Sequence, residues 1–417
     1  MPRPLVLLIA WLLSPLSPSG EPVLKPGARV AVVGDSITEQ KLYSRFIEDY
    51  LLACMSHLDV RVIQLGWGGE RAPGFADRME NDLFPFRPDV VTTCYGMNDG
   101  QYRAYEPSIG AAYEKSMRDI VGRLKARGAT VAVGSPGAVD THTFRNRTTP
   151  AIYNENLSKL RDIARAIAAD EGMPFANVHD AMRDAMSKAK PALGETYDVC
   201  GPDGFHPQAN GHLVMAMAFI RALGLDGQIA LLTADLGGEA SASAGHKVLS
   251  WKDGKLEVES RRYPFCFSGD GKSPASTRSI LPFIPFNAEL NRFTLVVKGL
   301  KTPKARVAWG DSAQSFTREA LETGINLAAE FPGNPFSEPF RKVDELVGKK
   351  QSFETAMIKE VITRFRTAKN LLGDDAEAKA AIEKLTARLL AKNEAMHREA
   401  RDAVAPVRHT IAITQEG

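Results

Sequence analysis

Cysteine is scarce in this chain, with four in 417 residues at Cys54, Cys94, Cys200 and Cys266, and no two stand as a Cys-x-x-Cys pair. That spacing excludes a zinc ribbon and a thioredoxin-like redox motif, and it leaves any disulfide pairing open. Cys94 falls in an apolar run and Cys54 on a helical stretch, so both read as small buried hydrophobes. An excess of either charge is also missing. Lys and Arg number 52 against 50 Asp and Glu, a net charge of +2, which leaves no field to hold a nucleic-acid backbone. Internal repeats are absent, and beyond the first twenty residues so are apolar runs long enough to span a bilayer.

Those first twenty residues differ from the rest. Arg3, the apolar run from Leu5 to Leu13 and the small-residue stretch from Ser14 to Gly20 have the layout of a secretory signal peptide. Residues 1–20 are therefore set apart from the fold, and the expected location is secreted or periplasmic, with no membrane span in the mature protein.

From residue 27 to 224 short apolar runs alternate with amphipathic stretches, the pattern of a parallel sheet covered on both faces by helices. Five strands are expected at Arg29–Val33, Val60–Leu65, Asp89–Tyr95, Ala129–Val133 and Pro174–Val178. Helices are expected at Leu42–His57, Ser108–Arg127, Ala151–Glu171 and Asn210–Leu223, with Gly128 and Gly172 at C-caps. Residues 235–337 turn rich in Gly, Ser and Pro. Strand-like runs at Lys247–Trp251, Lys255–Glu259 and Arg292–Val297, with turns at Asp253-Gly254 and Lys298-Gly299, mark a β-rich appendage. Residues 338–404 are charged and rich in Ala, Leu, Lys and Glu, with a break at Leu371–Asp375. They read as an α-helical hairpin with solvated faces. The apolar, glycine-bounded stretch from Gly324 to Phe336 is expected to dock the appendage on the preceding unit, near its cleft.

The chemistry starts at Gly34-Asp35-Ser36. An apolar strand runs into it and a helix follows, which places the serine at the carboxyl edge of a parallel sheet, where ligands bind. A serine hydroxyl needs a base to take its proton and a carboxylate to orient that base. Among eight histidines, only His206 follows an acid in a polar loop, as Asp203-Gly-Phe-His206-Pro207. Two more strand ends open onto the same edge. One carries Gly66-Trp-Gly-Gly69-Glu70-Arg71 and the other Gly96-Met-Asn98-Asp99. The backbone N–H groups of Ser36 and Gly69 and the side-chain amide of Asn98 would form an oxyanion hole, each donor worth about 3 kcal/mol in the transition state.

With these four blocks the sequence resembles the SGNH or GDSL hydrolase superfamily, its serine, glycine, asparagine and histidine matched by Ser36, Gly69, Asn98 and His206, and its aspartate by Asp203. The resemblance covers residues 28–223. It implies a flavodoxin-like three-layer α/β/α fold with a five-stranded parallel sheet, a mechanism that requires no metal or organic cofactor, and an ester substrate. The second block departs from the family pattern where Glu70 and Arg71 follow the glycine. Arg71 is expected to pair with Glu70 or Asp35, or else to contact substrate.

The resulting expectation is a secreted serine esterase that forms an acyl-serine on a small-molecule or glycan ester, with a carbohydrate O-acetylester preferred. Trp67, Tyr95 and Tyr102 stand near the site, as sugar-stacking surfaces or as loop packing. The alternatives are a lipase, lysophospholipase or thioesterase, or a binding module on a hydrolase fold without turnover. A second Gly310-Asp311-Ser312 lacks companion blocks and reads as a β-turn. His57, His142, His179 and His246 lack partners and His212 reads as packing. Nothing in the pattern fixes an oligomeric state.

Overall fold

In the computed structural model, which describes residues 23–417, five parallel strands form the first sheet. The signal-peptide expectation lies outside the described residues. In chain order this unit comprises β1 (Arg29–Gly34), α1 (Ser36–Glu39), α2 (Tyr43–Asp49), β2 (Arg61–Gly66), α3 (Ala72–Asp82), β3 (Val90–Cys94), α4 (Pro107–Lys125), β4 (Thr130–Gly134), α5 (Pro150–Glu171), β5 (Phe175–Ala176), α6 (Val178–Leu193) and α7 (Ala209–Ala222). The strand order is β2-β1-β3-β4-β5. Alternation along β1 sends Val30 and Val32 into one apolar layer with α2, α6 and α7, while Ala31 and Val33 enter a second with α3, α4 and much of α5. This is the expected three-layer α/β/α arrangement.

Register fixes what the strand ends present. Gly34 pairs with both Gly66 and Cys94, so the segments that follow β1, β2 and β3 leave the sheet at one level. The glycines are needed because α1 lies directly over those ends. A Cβ on Gly66 would stand 2.2 Å from the Glu39 nitrogen, and one on Gly34 would stand 2.1 Å from Thr38 Oγ1.

The remainder adds β6 (Gln228–Asp235), β7 (Ala240–Ala242), β8 (His246–Lys252), β9 (Lys255–Ser260), α8 (Phe286–Leu290), β10 (Arg292–Lys298), β11 (Lys304–Trp309), β12 (Ser312–Thr317), α9 (Arg318–Thr323), β13 (Ile325–Asn326), α10 (Leu327–Glu330), α11 (Ser337–Ala356), α12 (Phe365–Leu372), α13 (Ala376–Asp402) and β14 (Val407–Glu416). These strands form two sheets, β13-β10-β6-β7 and β12-β11-β14-β9-β8. Period-two burial in β9, β10 and β11 gives each sheet one apolar face, and Phe293 of β10 stacks on Trp309 of β11 with centroids 5.5 Å apart. The last strand, β14, pairs with β11 and β9 in the middle of its sheet. The helical hairpin is thus an insertion between β13 and β14. The 324–336 stretch packs inside this sandwich rather than on the first unit: Phe331 and Phe336 ring against Trp309, and Phe336 against Phe293, Tyr263 and His409.

The hairpin meets the parallel sheet along β2. β2 is an edge strand, with backbone groups free to pair, and α11 covers it with polar side chains. Lys350 Nζ donates to the Val62 carbonyl at 2.7 Å and Glu354 Oε2 accepts from the Gln64 N–H at 3.0 Å. Lys350 also pairs with Glu48 Oε1 at 2.9 Å and Glu354 Oε1 at 2.5 Å, all three side chains being buried. α11 runs on as a π-helical segment, Met357–Ile362. No helix among the described residues is long and apolar enough to cross a membrane. All four cysteines are free thiols, with Cys54, Cys94 and Cys200 buried.

Candidate active site

Asp35 caps α1 with Oδ1 on the Ile37 N–H at 3.0 Å, which places Ser36 in the first helical turn. As the first residue of the helix, Ser36 has no intrahelical partner for its own N–H. Its Oγ lies 2.8 Å from His206 Nε2, and His206 Nδ1 lies 2.7 Å from Asp203 Oδ2. The other Asp203 oxygen accepts from the N–H groups of Phe205 at 3.1 Å and His206 at 2.9 Å. Partial burial pushes the Asp203 carboxyl up, but the His206 imidazole and these N–H donors outweigh it and hold the group below the usual carboxylate range. The carboxylate is therefore ionised, Nδ1 carries the imidazole proton, and Nε2 offers its lone pair to the serine.

The loop bearing His206 is held from both sides. Asp140 N–H donates to the Gly204 carbonyl at 2.8 Å, and Gln40 Nε2 donates to the Pro207 carbonyl at 3.3 Å. Gln40 is in turn held through Oε1 by His212 Nε2 at 3.1 Å, while His212 Nδ1 accepts from the Tyr43 N–H. His212 is thus a buried packing residue, as its position on α7 suggested, and burial pushes its imidazole down to about 3.

The turn after β2 is the part most directly suited to anion binding. Trp67 N–H donates to the Gly34 carbonyl, Glu70 N–H to the Trp67 carbonyl, and Gly68 N–H to Glu39 Oε2. Gly69 N–H alone in this turn has no partner among the described residues. Gly69 sits at φ +71°, a conformation glycine adopts without strain. From β3, Asn98 Nδ2 donates one hydrogen to the Glu70 carbonyl at 3.0 Å, and Asn98 Oδ1 accepts from the Tyr102 hydroxyl at 3.0 Å. The second Nδ2 hydrogen has no partner among the described residues. The structure therefore gathers Ser36, Gly69, Asn98, Asp203 and His206 at one sheet edge.

Beneath this edge lies a buried charged cluster that sequence reasoning missed in part. Glu70 is bound by Arg78 through Nε at 2.7 Å and Nη2 at 2.8 Å, and it accepts from the Tyr95 hydroxyl at 2.8 Å. Arg71, expected to take that role, is exposed, and its guanidinium makes no ion pair or hydrogen bond among the described residues. The reason is α3: helix formation from Ala72 carries Arg78 back under Glu70, and the Ala-Pro-Gly start of that stretch hid the helix. Asp99 accepts from the Ala72 and Gly96 N–H groups at 3.0 Å each. Burial pushes Asp99 up to about 6 and Asp35 up to about 7, the latter also through the charges of Asp99 and Glu70.

Two further expectations change. Tyr95 is fully buried against Phe75 and has no face for a ligand, and Tyr102 stacks on Tyr153 at 5.1 Å. Trp67 remains half-buried, with the Arg78 guanidinium 5.1 Å and the Lys359 ammonium 4.8 Å from its ring centre. Gly310-Asp311 is a two-residue hairpin turn between β11 and β12, and Ser312 opens β12 opposite Trp309. No group of His, Cys, Asp and Glu suited to hold a metal ion occurs among the described residues.

Comparison with known proteins places these observations. The sequence profile of the GDSL-like lipase/acylhydrolase family matches residues 32–214. An acetylxylan esterase of Geobacillus stearothermophilus is 22% identical over 222 residues, which cover 48% of this chain and 95% of that protein. A solved structure of that esterase aligns with 48% of this chain and 96% of its own, at 21% identity and a TM-score of 0.41. The solved structure of a gut microbial diltiazem-metabolizing enzyme aligns with 94% of this chain and 98% of its own, at 22% identity and a TM-score of 0.74. The last shares the fold along nearly the whole length, appended sheets and helices included.

Proposed function

We propose, from the premise that residues 32–214 belong to the GDSL-like lipase/acylhydrolase family and make this chain a serine ester hydrolase, that Ser36 is its nucleophile, His206 its general base and Asp203 the carboxylate that orients the base. The observation that carries this assignment is the unbroken line Ser36 Oγ, His206 Nε2, His206 Nδ1, Asp203 Oδ2, with contacts of 2.8 and 2.7 Å.

The chemistry follows from that line. His206 Nε2 takes the proton as Ser36 Oγ attacks the ester carbonyl. The oxyanion that forms is met by the N–H groups of Ser36 and Gly69 and by the second amide hydrogen of Asn98. These donors are fixed before substrate arrives, so they stabilise charge that appears only in the transition state. Collapse of the tetrahedral intermediate expels the alcohol, which takes its proton from His206. Water, deprotonated by the same nitrogen, then attacks the acyl-serine and releases the acid. Asp203 stabilises the imidazolium in both halves.

The substrate we favour is an O-acetylated carbohydrate, and the location we favour is outside the cytoplasm. Support for the first comes from the acetylxylan esterase relative and from an open site, His206 and Asp203 being 31% and 44% exposed. Support for the second is the signal-like segment of residues 1–20. A second reading, an ester with a bulky apolar group, is favoured by a cavity of about 640 Å³ that opens beside Gln40 and Pro207 and is lined by Leu42, Phe46, Phe265 and Phe340. Acetate release from acetylated xylo-oligosaccharides, set against hydrolysis of nitrophenyl esters of two to sixteen carbons, decides between them. The carbohydrate reading requires acetate release that Ser36→Ala abolishes. A rate that climbs with chain length beyond about ten carbons selects the second. Amino-terminal sequencing of protein recovered outside the cytoplasm tests export.

A further inference from the structure

We infer that Lys359, on the π-helical segment that follows α11, acts through Glu39 as a positioning residue for the oxyanion donor Gly69. The inference rests on the proposed catalytic reading and extends the machinery to a residue from the C-terminal insertion, 320 positions away from Glu39 in the chain.

Glu39 is the last residue of α1, the short helix that begins with the nucleophile. Its carboxylate is shared between two donors. Oε2 accepts from the Gly68 N–H, and Oε1 accepts from Lys359 Nζ at 2.5 Å. Both side chains are about three-quarters buried, with exposures of 25% for Glu39 and 23% for Lys359. Lys41, the next cation along, reaches Glu39 through the main-chain carbonyl and not through the carboxylate. The Lys359 ammonium also lies over the Trp67 ring. Residues 67 and 68 are therefore fixed by the same lysine, once through a ring and once through a carboxylate.

That arrangement decides where the Gly69 N–H points. Among the amides of the turn 67–70, those of Trp67, Gly68 and Glu70 are tied, and only the one between them is left to an incoming oxygen. Gly68 approaches Glu39 so closely that an added Cβ would stand 2.8 Å from Oε2, so the carboxylate sits against bare backbone. Without the ammonium, Glu39 keeps one hydrogen bond, and its three-quarters-buried charge is left unpaired and drawn toward water. The Gly68 amide is then released and the Gly69 peptide turns with it. A donor that has lost its aim weakens the transition state and leaves substrate binding nearly untouched.

Kinetics of Lys359→Met on a short-chain nitrophenyl ester test this. The expected result is a kcat about tenfold lower with KM within twofold of the parent, and an equal loss in affinity for an alkylboronic acid, which forms a tetrahedral adduct on the serine. Lys359→Arg restores most of the rate. Glu39→Gln reproduces the loss, and the double variant is no worse than either single one. Lys369→Met, which removes a hairpin lysine whose ammonium bonds Asn81, leaves the kinetics unchanged. The inference is overturned by an unchanged kcat with a raised KM, which makes Lys359 a substrate contact, or by an equal loss in Lys369→Met. If Lys359→Met fails to fold, Glu39→Gln and Lys359→Arg decide the same question. Ser36→Ala separates the two levels: activity that survives it sinks the catalytic reading, whereas activity lost with it and retained in Lys359→Met sinks this inference alone.

Discussion

Replacing Asn98 with alanine removes one proposed oxyanion donor and two structural hydrogen bonds, and the two effects are separable. On the catalytic side, the free Nδ2 hydrogen is the only side-chain donor in the proposed hole. Loss of such a donor costs about 3 kcal/mol of transition-state stabilisation, a drop in kcat of about 10² to 10³. On the stability side, the bonds to the Glu70 carbonyl and from the Tyr102 hydroxyl, both 3.0 Å and part-buried, contribute about 1 kcal/mol each. The folded protein should then lose about 2 kcal/mol, visible as a lower urea midpoint. Tyr102→Phe divides the terms further. It keeps the donor but removes the hydroxyl that sets the amide's orientation, so kcat falls severalfold and stability by about 1 kcal/mol. The assay is steady-state hydrolysis of a nitrophenyl acetate analogue beside urea unfolding of each variant. A folded Asn98→Ala protein with kcat within threefold of the parent would refute the assignment of Asn98 to the oxyanion.

Other perturbations probe the scaffold. Ser312→Ala alters the second Gly-Asp-Ser at an exposed residue beside the hairpin turn, and should leave kcat and the melting midpoint unchanged. Lys350→Met strands two buried carboxylates, Glu48 and Glu354, and should cost about 3–5 kcal/mol at pH 8 in urea unfolding. Burial already lifts Glu354 to about 7, above its value of about 4.3 in an unfolded chain. A carboxyl raised in the fold stabilises fully below the unfolded value and loses that stability as pH climbs through 7. The penalty of Lys350→Met should therefore shrink at pH 5, and an equal penalty at both pH values would contradict the buried-charge account. In the sandwich, the Ser260 hydroxyl joins His246 at 2.8 Å and His409 at 2.9 Å, and Ser260→Ala should destabilise by about 2–4 kcal/mol with kcat intact.

The parallel sheet and its site were legible because each depends on short-range pattern. Apolar runs of five to seven residues mark the strands, and the Gly34, Gly69, Asn98 and His206 blocks each sit at a strand end or helix start where local sequence determines geometry. The missed elements lacked such a signature. α3 opens with Ala-Pro-Gly and α6 contains Pro191, and both are amphipathic helices made by tertiary packing rather than propensity. Arg78 was missed with α3, and Arg71 was given its role because it was nearest in sequence. The contacts of Lys350, Glu354 and Lys359 join residues about 290 to 320 positions apart, and no local spacing encodes them. The stretch from Gly324 to Phe336 was recognised as apolar, yet apolarity does not name the surface it covers, and that surface is the sandwich's own core.

That long-range cover bears on whether residues 23–224 fold as a free unit. The GDSL-like lipase/acylhydrolase profile spans residues 32–214 and stops short of the helical insertion. In this chain the exposed edge has been committed to that insertion. Val62 and Gln64 receive side chains from α11 where another strand or water would otherwise bond, and Ser44 and Glu48 of α2 are both bound to Gln351 of α11. Leu52 is buried with Val343 and Val347 of α11. Cutting after Gly224 would expose an unpaired edge strand beside an apolar patch, the combination that favours edge-to-edge association. The fragment 23–224 is expected to aggregate when expressed alone, as judged by light scattering, and to lose most activity because Lys359 is gone. A monomeric fragment that melts cooperatively with the parent's kcat would show that α11 is an ornament on the edge and that Glu39 holds the oxyanion turn unaided.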